Sequence, residues 1–407
     1  MDSLITAAAR AMAVGDVLGA LKRVALRDDP PALAIRGIAM ARLGDFARAR
    51  SLLKAAAAGF APTELVYRAR CILAQAEIDL ASRDLAESSS DLDDARTTLE
   101  HSGDRVNAAH AGHLQVRRLV LIGRLREADQ ILSGLSPAAL PPAYQAAHEL
   151  VIAALNVRRL HAASARSAIQ RAKTAARAAR SQVLLAEVDR AIASLEFPAA
   201  KLIRQGHEQA IKLEEVERIL ASNTTVVVDG CRRSIYLAGR SVDLAKRPVL
   251  FALARALAKA WPQEATRSTL LIDAFGARQV DESHRARLRV EIGRLRAELL
   301  SVCGLIATPG GYALSPQEGC ELVLLDPPQD GPHAGLLGVL SDGEAWSSAA
   351  LALVLGRSQR SVQRALEALA GAGKVRSHGD GRSRRWIAPP IPGFPTGLLL
   401  MNSITPV

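Results

Sequence analysis

DESHRARLRVEIGRLRAELL, residues Asp281 to Leu300, governs how its surroundings are read. Leu288, Ile292, Leu295 and Leu299 fall at i, i+4, i+7 and i+11, so at about 3.6 residues per turn they draw one apolar stripe down a helix. That stripe docks the helix on a core. The far side carries Ala286, Val290, Gly293 and Ala297, with Arg287 and Arg294 along one edge and Arg285, Arg289 and Arg296 further round. Small residues bordered by arginines let a backbone come close to something anionic.

An Arg-rich helix face is commonly plain solvated surface, and the flanks decide between that and a ligand face. Upstream lie a β-rich stretch and two further helical patterns. Downstream, LIATPGGYALSP (Leu305 to Pro316) reads as a strand, a Gly-Gly turn and a second strand. The B-form major groove admits an α-helix, and a planar guanidinium matches guanine O6/N7 or a phosphate in bidentate fashion. Double-stranded DNA is the expected partner of this face.

The composition agrees with an anionic partner. The 407 residues carry 52 basic against 41 acidic side chains, a net charge of +11, and 49% are apolar, which describes a globular chain of several domains drawn to nucleic acid or an acidic membrane surface. Four cysteines, Cys71, Cys231, Cys303 and Cys320, are scattered without CxxC or zinc-ligand spacing and read as reduced thiols. MDSLITAAARAMAVGDV lacks the basic start and apolar run of a signal peptide, and no window approaches 18 uninterrupted apolar residues, so the expectation is a cytoplasmic, nucleoid-associated protein with no membrane partner.

From Leu4 to about Leu195 the pattern is almost all helix, rich in Ala, Leu and Arg. LAIRGIAMARLGDFARARSLLKAA (Leu33 to Ala56) has two helices around a turn at Gly44 to Phe46, with small residues at Ala47 and Ala49. LQVRRLVLIGRLREADQILSGL (Leu114 to Leu135) puts Gly123, Leu125 and Ala128 in the same places. These pairs resemble tetratricopeptide repeats, whose stacked hairpins form curved surfaces for a protein or peptide partner; a plain helical bundle that mediates homo-oligomerisation is the alternative. Between Val151 and Ala186 there is no acidic residue, while Arg158, Arg159, Arg166, Arg171, Lys173, Arg177 and Arg180 are basic, a solvated face or one that follows phosphates.

Phe197-Pro198 breaks the helical pattern, and HEQAIKLEEVERILAS (His207 to Ser222) is expected as a polar helical connector. The period then changes to about two: TTVVVDG, SIYLAG and SVDLA (Thr224 to Ala245) read as three short strands. RPVLFALARALAKA and TRSTLLIDAFG follow as two supporting helices. A small sheet, three helices ending in IGRLRAEL and a hairpin ending GGYAL resemble the OmpR/PhoB-type winged helix of bacterial response regulators, over about residues 224–316. The resemblance implies that the third helix enters the major groove and the wing approaches the minor groove. It points to Arg287, Val290, Arg294 and Arg296 on the helix and to Thr308, Gly310 and Tyr312 at the wing. Pro248, an outward Glu291 and a wing tip without arginine depart from the family pattern, so its base preference is not carried over. No alternating βα units precede it, which speaks against a phosphorelay receiver.

LLDPPQDGPHAG (Leu324 to Gly335) is read as a linker. Beyond it HAGLLGVLSD, SSAALALVLG with Ser347 as N-cap, and SQRSVQRALEALAGAG read as three helices, and KVRSHGDGRSRRWIA as a hairpin turning at Asp380-Gly381. With Val362, Leu366 and Leu369 buried, Arg360, Ser361, Gln363 and Arg364 face outward, and the hairpin supplies Arg376, His378, Arg382, Arg384 and Arg385. This resembles the broad winged-helix class of bacterial regulators, MarR-like or DeoR-like.

The expected fold is mainly α with small β elements. Residues 1–197 form a tetratricopeptide-like repeat domain, 198–223 a connector, 224–318 the first winged helix, 319–332 a linker, 333–390 the second winged helix and 391–407 an extended tail. No Walker A loop, HExxH or GxSxG is present, and His110 and His113, three apart, lack companion ligands, so neither catalysis nor a cofactor or metal is expected. The expected function is sequence-specific DNA binding in transcription regulation. A protein-interaction scaffold and an architectural or recombination-associated DNA-bound factor are the alternatives.

Overall fold

The computed structural model describes residues 2–85, 90–275, 282–328, 333–340, 345–379, 381 and 384–388. The chain is mainly helical with small sheets. Packing divides it into a helical unit, residues 1–159, 163–194 and 339 onward, and a sheet unit, residues 160–162 and 195–338.

The helical segments run α1 (Ser3–Ala13), α2 (Val17–Val24), α3 (Pro30–Arg42), α4 (Phe46–Gly59), α5 (Leu65–Ala81), α6 (Ser90–His101), α7 (Arg105–Leu121), α8 (Leu125–Ser133), α9 (Pro142–Arg158), α10 (Ala162–Ala178) and α11 (Gln182–Glu196). Helix starts are set by aspartates: Asp2, Asp16, Asp29, Asp45 and Asp104 each accept a hydrogen bond from a backbone N–H of the first turn. The turns that close α1, α3 and α7 put Gly15, Gly44 and Gly123 at φ of +85°, +85° and +82°, a conformation that costs glycine nothing. The turn closing α5 puts Arg83 there instead, at φ +51°. Ala49 and Ala128 are fully buried where small residues were expected to let helices approach, whereas Ala47 is exposed. Gly37 has the same packing role, since a Cβ there would come within 2.7 Å of Leu53 Cγ.

Polar groups thread this helical core. His110 Nε2 lies 2.9 Å from Glu77 Oε2, and His113 Nε2 lies 3.0 Å from His148 Nδ1. Arg117 pairs with Glu187 at 2.8 Å and Arg70 with Asp104 at 2.7 Å. Among the described residues no group of three or more His, Cys, Asp or Glu is placed to hold a metal ion.

The sheet unit contains β1 (Ala200–Arg204), β2 (His207–Ile211), α12 (Leu213–Leu220), β3 (Thr225–Asp229), β4 (Ser234–Leu237), β5 (Arg240–Asp243), α13 (Pro248–Ala260), β6 (Ala265–Thr266), α14 (Arg267–Phe275), α15 (Glu282–Leu299), β7 (Gly304–Ala307), β8 (Gly311–Ser315) and β9 (Glu321–Asp326). Among the described residues six strands pair in the order β2-β1-β9-β3-β4-β5, with β9 parallel to β3 and the other neighbours antiparallel, and a smaller sheet has the order β6-β8-β7. The strands expected from 224 to 245 and the three helices that follow are all present.

Two expectations fail. His207–Ile211 is not helical: Gln205 and Gly206, both at positive φ, make a tight turn that folds it back on β1 as an exposed edge strand. ELVLLD is not linker but β9, buried between β1 and β3, and a strand covered on both faces reads as an unbroken apolar run rather than an alternating one.

The terminal segment adds α16 (Ala334–Leu340), α17 (Ser348–Leu355), α18 (Gln359–Gly371), β10 (Arg376–His378) and β11 (Arg385–Ile387). Ser347 and Ser358 cap α17 and α18, and Gly356 ends α17 in the left-handed conformation at φ +60°. Trp346 extends the hairpin by a bridge to Trp386. Among the described residues no helix is long and apolar enough to cross a membrane.

Candidate nucleic-acid interface

Helix α15 is held by one face and open on the other. Leu288, Ile292, Leu295 and Leu299 are buried against Leu253 and Leu257 of α13, Leu270 and Leu271 of α14, and the sheet. Arg285, Ala286, Arg287, Arg289, Val290, Gly293, Arg294, Arg296 and Ala297 are exposed. Val290 keeps 54% of its surface in water, an apolar side chain at the middle of a basic face.

The arginines of that face differ in what they touch. Arg287 lies over the Phe275 ring, 4.8 Å from its centroid. Arg294 Nη1 is 2.9 Å from Glu291 Oε1, one turn back on the same helix; Glu291 is partly covered, not outward as its position in the sequence implied. Arg296 is a strut: its Nε donates to the Leu305 carbonyl oxygen at 2.9 Å and ties α15 to β7. It remains exposed on the same face as Arg289 and Arg294.

The β7–β8 hairpin is shaped from outside. Arg267 donates to the carbonyl oxygens of Pro309 and Thr308 at 2.8 and 3.2 Å, and its guanidinium lies 5.7 Å from the centre of the Tyr312 ring. Thr308 Oγ1 accepts from Gly311 N–H at 2.9 Å and closes the turn. Gly310 stands at the exposed tip, where a Cβ would meet the Glu264 carboxylate. Tyr312, expected at the wing surface, is 8% exposed and part of the core, on a strand that lies between β6 and β7 and is buried along four of its five residues. Arg267 was missed in the sequence, since nothing near Thr266 signals carbonyl partners some 40 residues away.

In the terminal segment Val362, Leu366 and Leu369 are buried while Arg360, Ser361, Gln363 and Arg364 are exposed along α18, as the helical period required. Arg376 and His378 are exposed on β10. Arg384 stacks over Trp386 at 4.5 Å. Arg385 does not join them: its Nη2 is 3.0 Å from Asp84 Oδ2, so an intramolecular carboxylate holds a side chain expected to meet phosphate. Arg382 and the tail of 391–407 lie outside the described residues.

Comparison with protein-family models, curated proteins and solved structures returns no match for this chain.

Proposed function

We propose that this chain is a sequence-specific double-stranded DNA-binding regulator that reads the duplex with α15 and α18. In this reading residues 224–318 form a winged helix of the OmpR/PhoB type, 333–390 form a second winged helix, and α1 to α11 form tetratricopeptide-like pairs that bind a partner or associate with another copy. The observation that carries the reading is the outward face of α15. A helix anchored by four buried aliphatic side chains presents Val290 between small residues and exposed arginines, the arrangement that suits a thymine methyl beside guanine or phosphate contacts. Two reading helices on one chain raise each other's effective concentration, so the preferred site is composite, two short elements at constrained spacing.

Selection of bound sequences from a random duplex pool, followed by titration at about 0.15 M salt, tests the proposal. Enrichment of two short elements at fixed spacing is expected. No enrichment and no retardation would favour a second reading, in which these faces bind protein; it draws support from Arg296 and Arg385, basic side chains already engaged within the chain.

A further inference from the structure

The hairpin of the terminal segment is clasped to the turn that closes α5. Trp346, 1% exposed, lies 5.6 Å beneath the guanidinium of Arg83, itself 2% exposed and held by a bond from its Nη1 to the Leu80 carbonyl oxygen at 3.0 Å. The next residue, Asp84, takes Arg385 at 3.0 Å and has Arg50 of α4 at 4.0 Å; Arg50 in turn pairs with Asp79 at 2.5 Å. Asp79, Arg50, Asp84 and Arg385 thus form a chain of alternating charge from the helical pairs to β11. The equivalent turn position after α1, α3 and α7 is glycine; here, as at Leu160 after α9 and Arg180 after α10, a side chain accepts a left-handed backbone, and that of Arg83 reaches the tryptophan. Asp84 and Arg50 also line a cleft of about 610 Å³ among α4, α5, α6 and α7.

We infer that this clasp is an autoinhibitory contact: Asp84 pairs with Arg385 and so withholds its guanidinium from phosphate. The inference rests on the DNA-binding reading and supplies its regulation.

The test compares full-length wild type, Asp84→Asn, Arg385→Ala and the double variant on a mixed-sequence duplex across a salt series. Release of Arg385 adds about one neutralised phosphate, so the slope of log K against log salt steepens by about 0.9 in Asp84→Asn and affinity at about 0.1 M salt rises roughly threefold or more. Arg385→Ala alone leaves wild-type binding unchanged, and in the Asp84→Asn background it restores the wild-type slope. Equal slopes for wild type and Asp84→Asn overturn the inference. Amide exchange is read in parallel without DNA, with Arg83→Gly as a second variant whose residue is one the neighbouring turns accept. Faster exchange in 376–378 and 385–387 is expected for both Asp84→Asn and Arg83→Gly, and unchanged protection overturns the clasp whatever the duplex data. Absence of duplex binding by every variant, with exchange responding, would instead sink the DNA reading beneath the inference.

Discussion

Arg255 of α13 grips Asp326 at the end of β9 with two bonds, Nε to Oδ1 at 2.8 Å and Nη2 to Oδ2 at 2.5 Å, across 71 residues of sequence. The carboxylate is almost wholly buried and the guanidinium half exposed. Asp326→Ala is expected to cost about 2 kcal/mol in urea unfolding, the range for a charge-assisted pair with one solvated partner. A change within about 0.5 kcal/mol would mean that β9 is held by its ladder alone.

Arg294→Ala and Arg296→Ala should part company. The first is expected to relax preference at one base position at a cost of about 1 to 3 kcal/mol of binding. The second removes the bond to Leu305 and should cost about 1 kcal/mol of folding stability with base preference retained. Binding profiles over a set of single-base site variants, beside denaturant melts, separate the two.

The adjacent wing glycines are unequal. A Cβ on Gly311 would sit 1.9 Å from the Ala265 carbonyl oxygen of β6, where backbone cannot give way, whereas on Gly310 it would meet only the far end of the exposed Glu264 side chain. Gly311→Ala should destabilise by about 2 kcal/mol or more and Gly310→Ala by less than about 0.5 kcal/mol. Equal melts for the two variants would refute that account of the turn.

Acid should weaken the helical unit. Burial, and then the neighbouring His110, His148 and Arg117, hold His113 well below the ordinary histidine value, and burial lowers His148 as well. The folded chain then binds fewer protons than the unfolded chain, which titrates near pH 6.5, so stability is flat above that pH and falls as pH drops through it toward the folded values. Urea midpoints at pH 7.5, 6.5 and 5.5 should show the loss, and His113→Gln should shrink it; an unchanged slope in the variant would exclude His113 as its origin.

Much of the fold is legible in short windows. The turns at Gly44 and Gly123, the cap Ser347, and the stripe Leu288, Ile292, Leu295 and Leu299 depend on residues within one or two helical turns of one another, so local spacing suffices. The outward placement of Val290, Arg360 and Arg364 follows from the same period. Two segments escaped for opposite reasons. Gln205-Gly206 is a two-residue turn whose following strand, HEQAI, is polar because it lies at an exposed edge. ELVLLD is apolar on both faces because Leu322 and Leu324 pack into the core with α13 and α15 while Val323 and Leu325 pack with Val216 and Ile219 of α12, and the Pro327-Pro328 that follows made it look like the start of a linker.

The sequence by itself determined which faces of α15 and α18 are apolar and which are basic, because the helical period is a property of consecutive residues. Only the tertiary structure decided which of the chain's cations also meet an acceptor from a distant part of the sequence. Arg296 meets Leu305, Arg267 meets Thr308 and Pro309, and Arg385 meets Asp84. Each of those pairings joins groups brought together by the packing of separate elements, and a guanidinium takes whichever acceptor the fold carries within its reach.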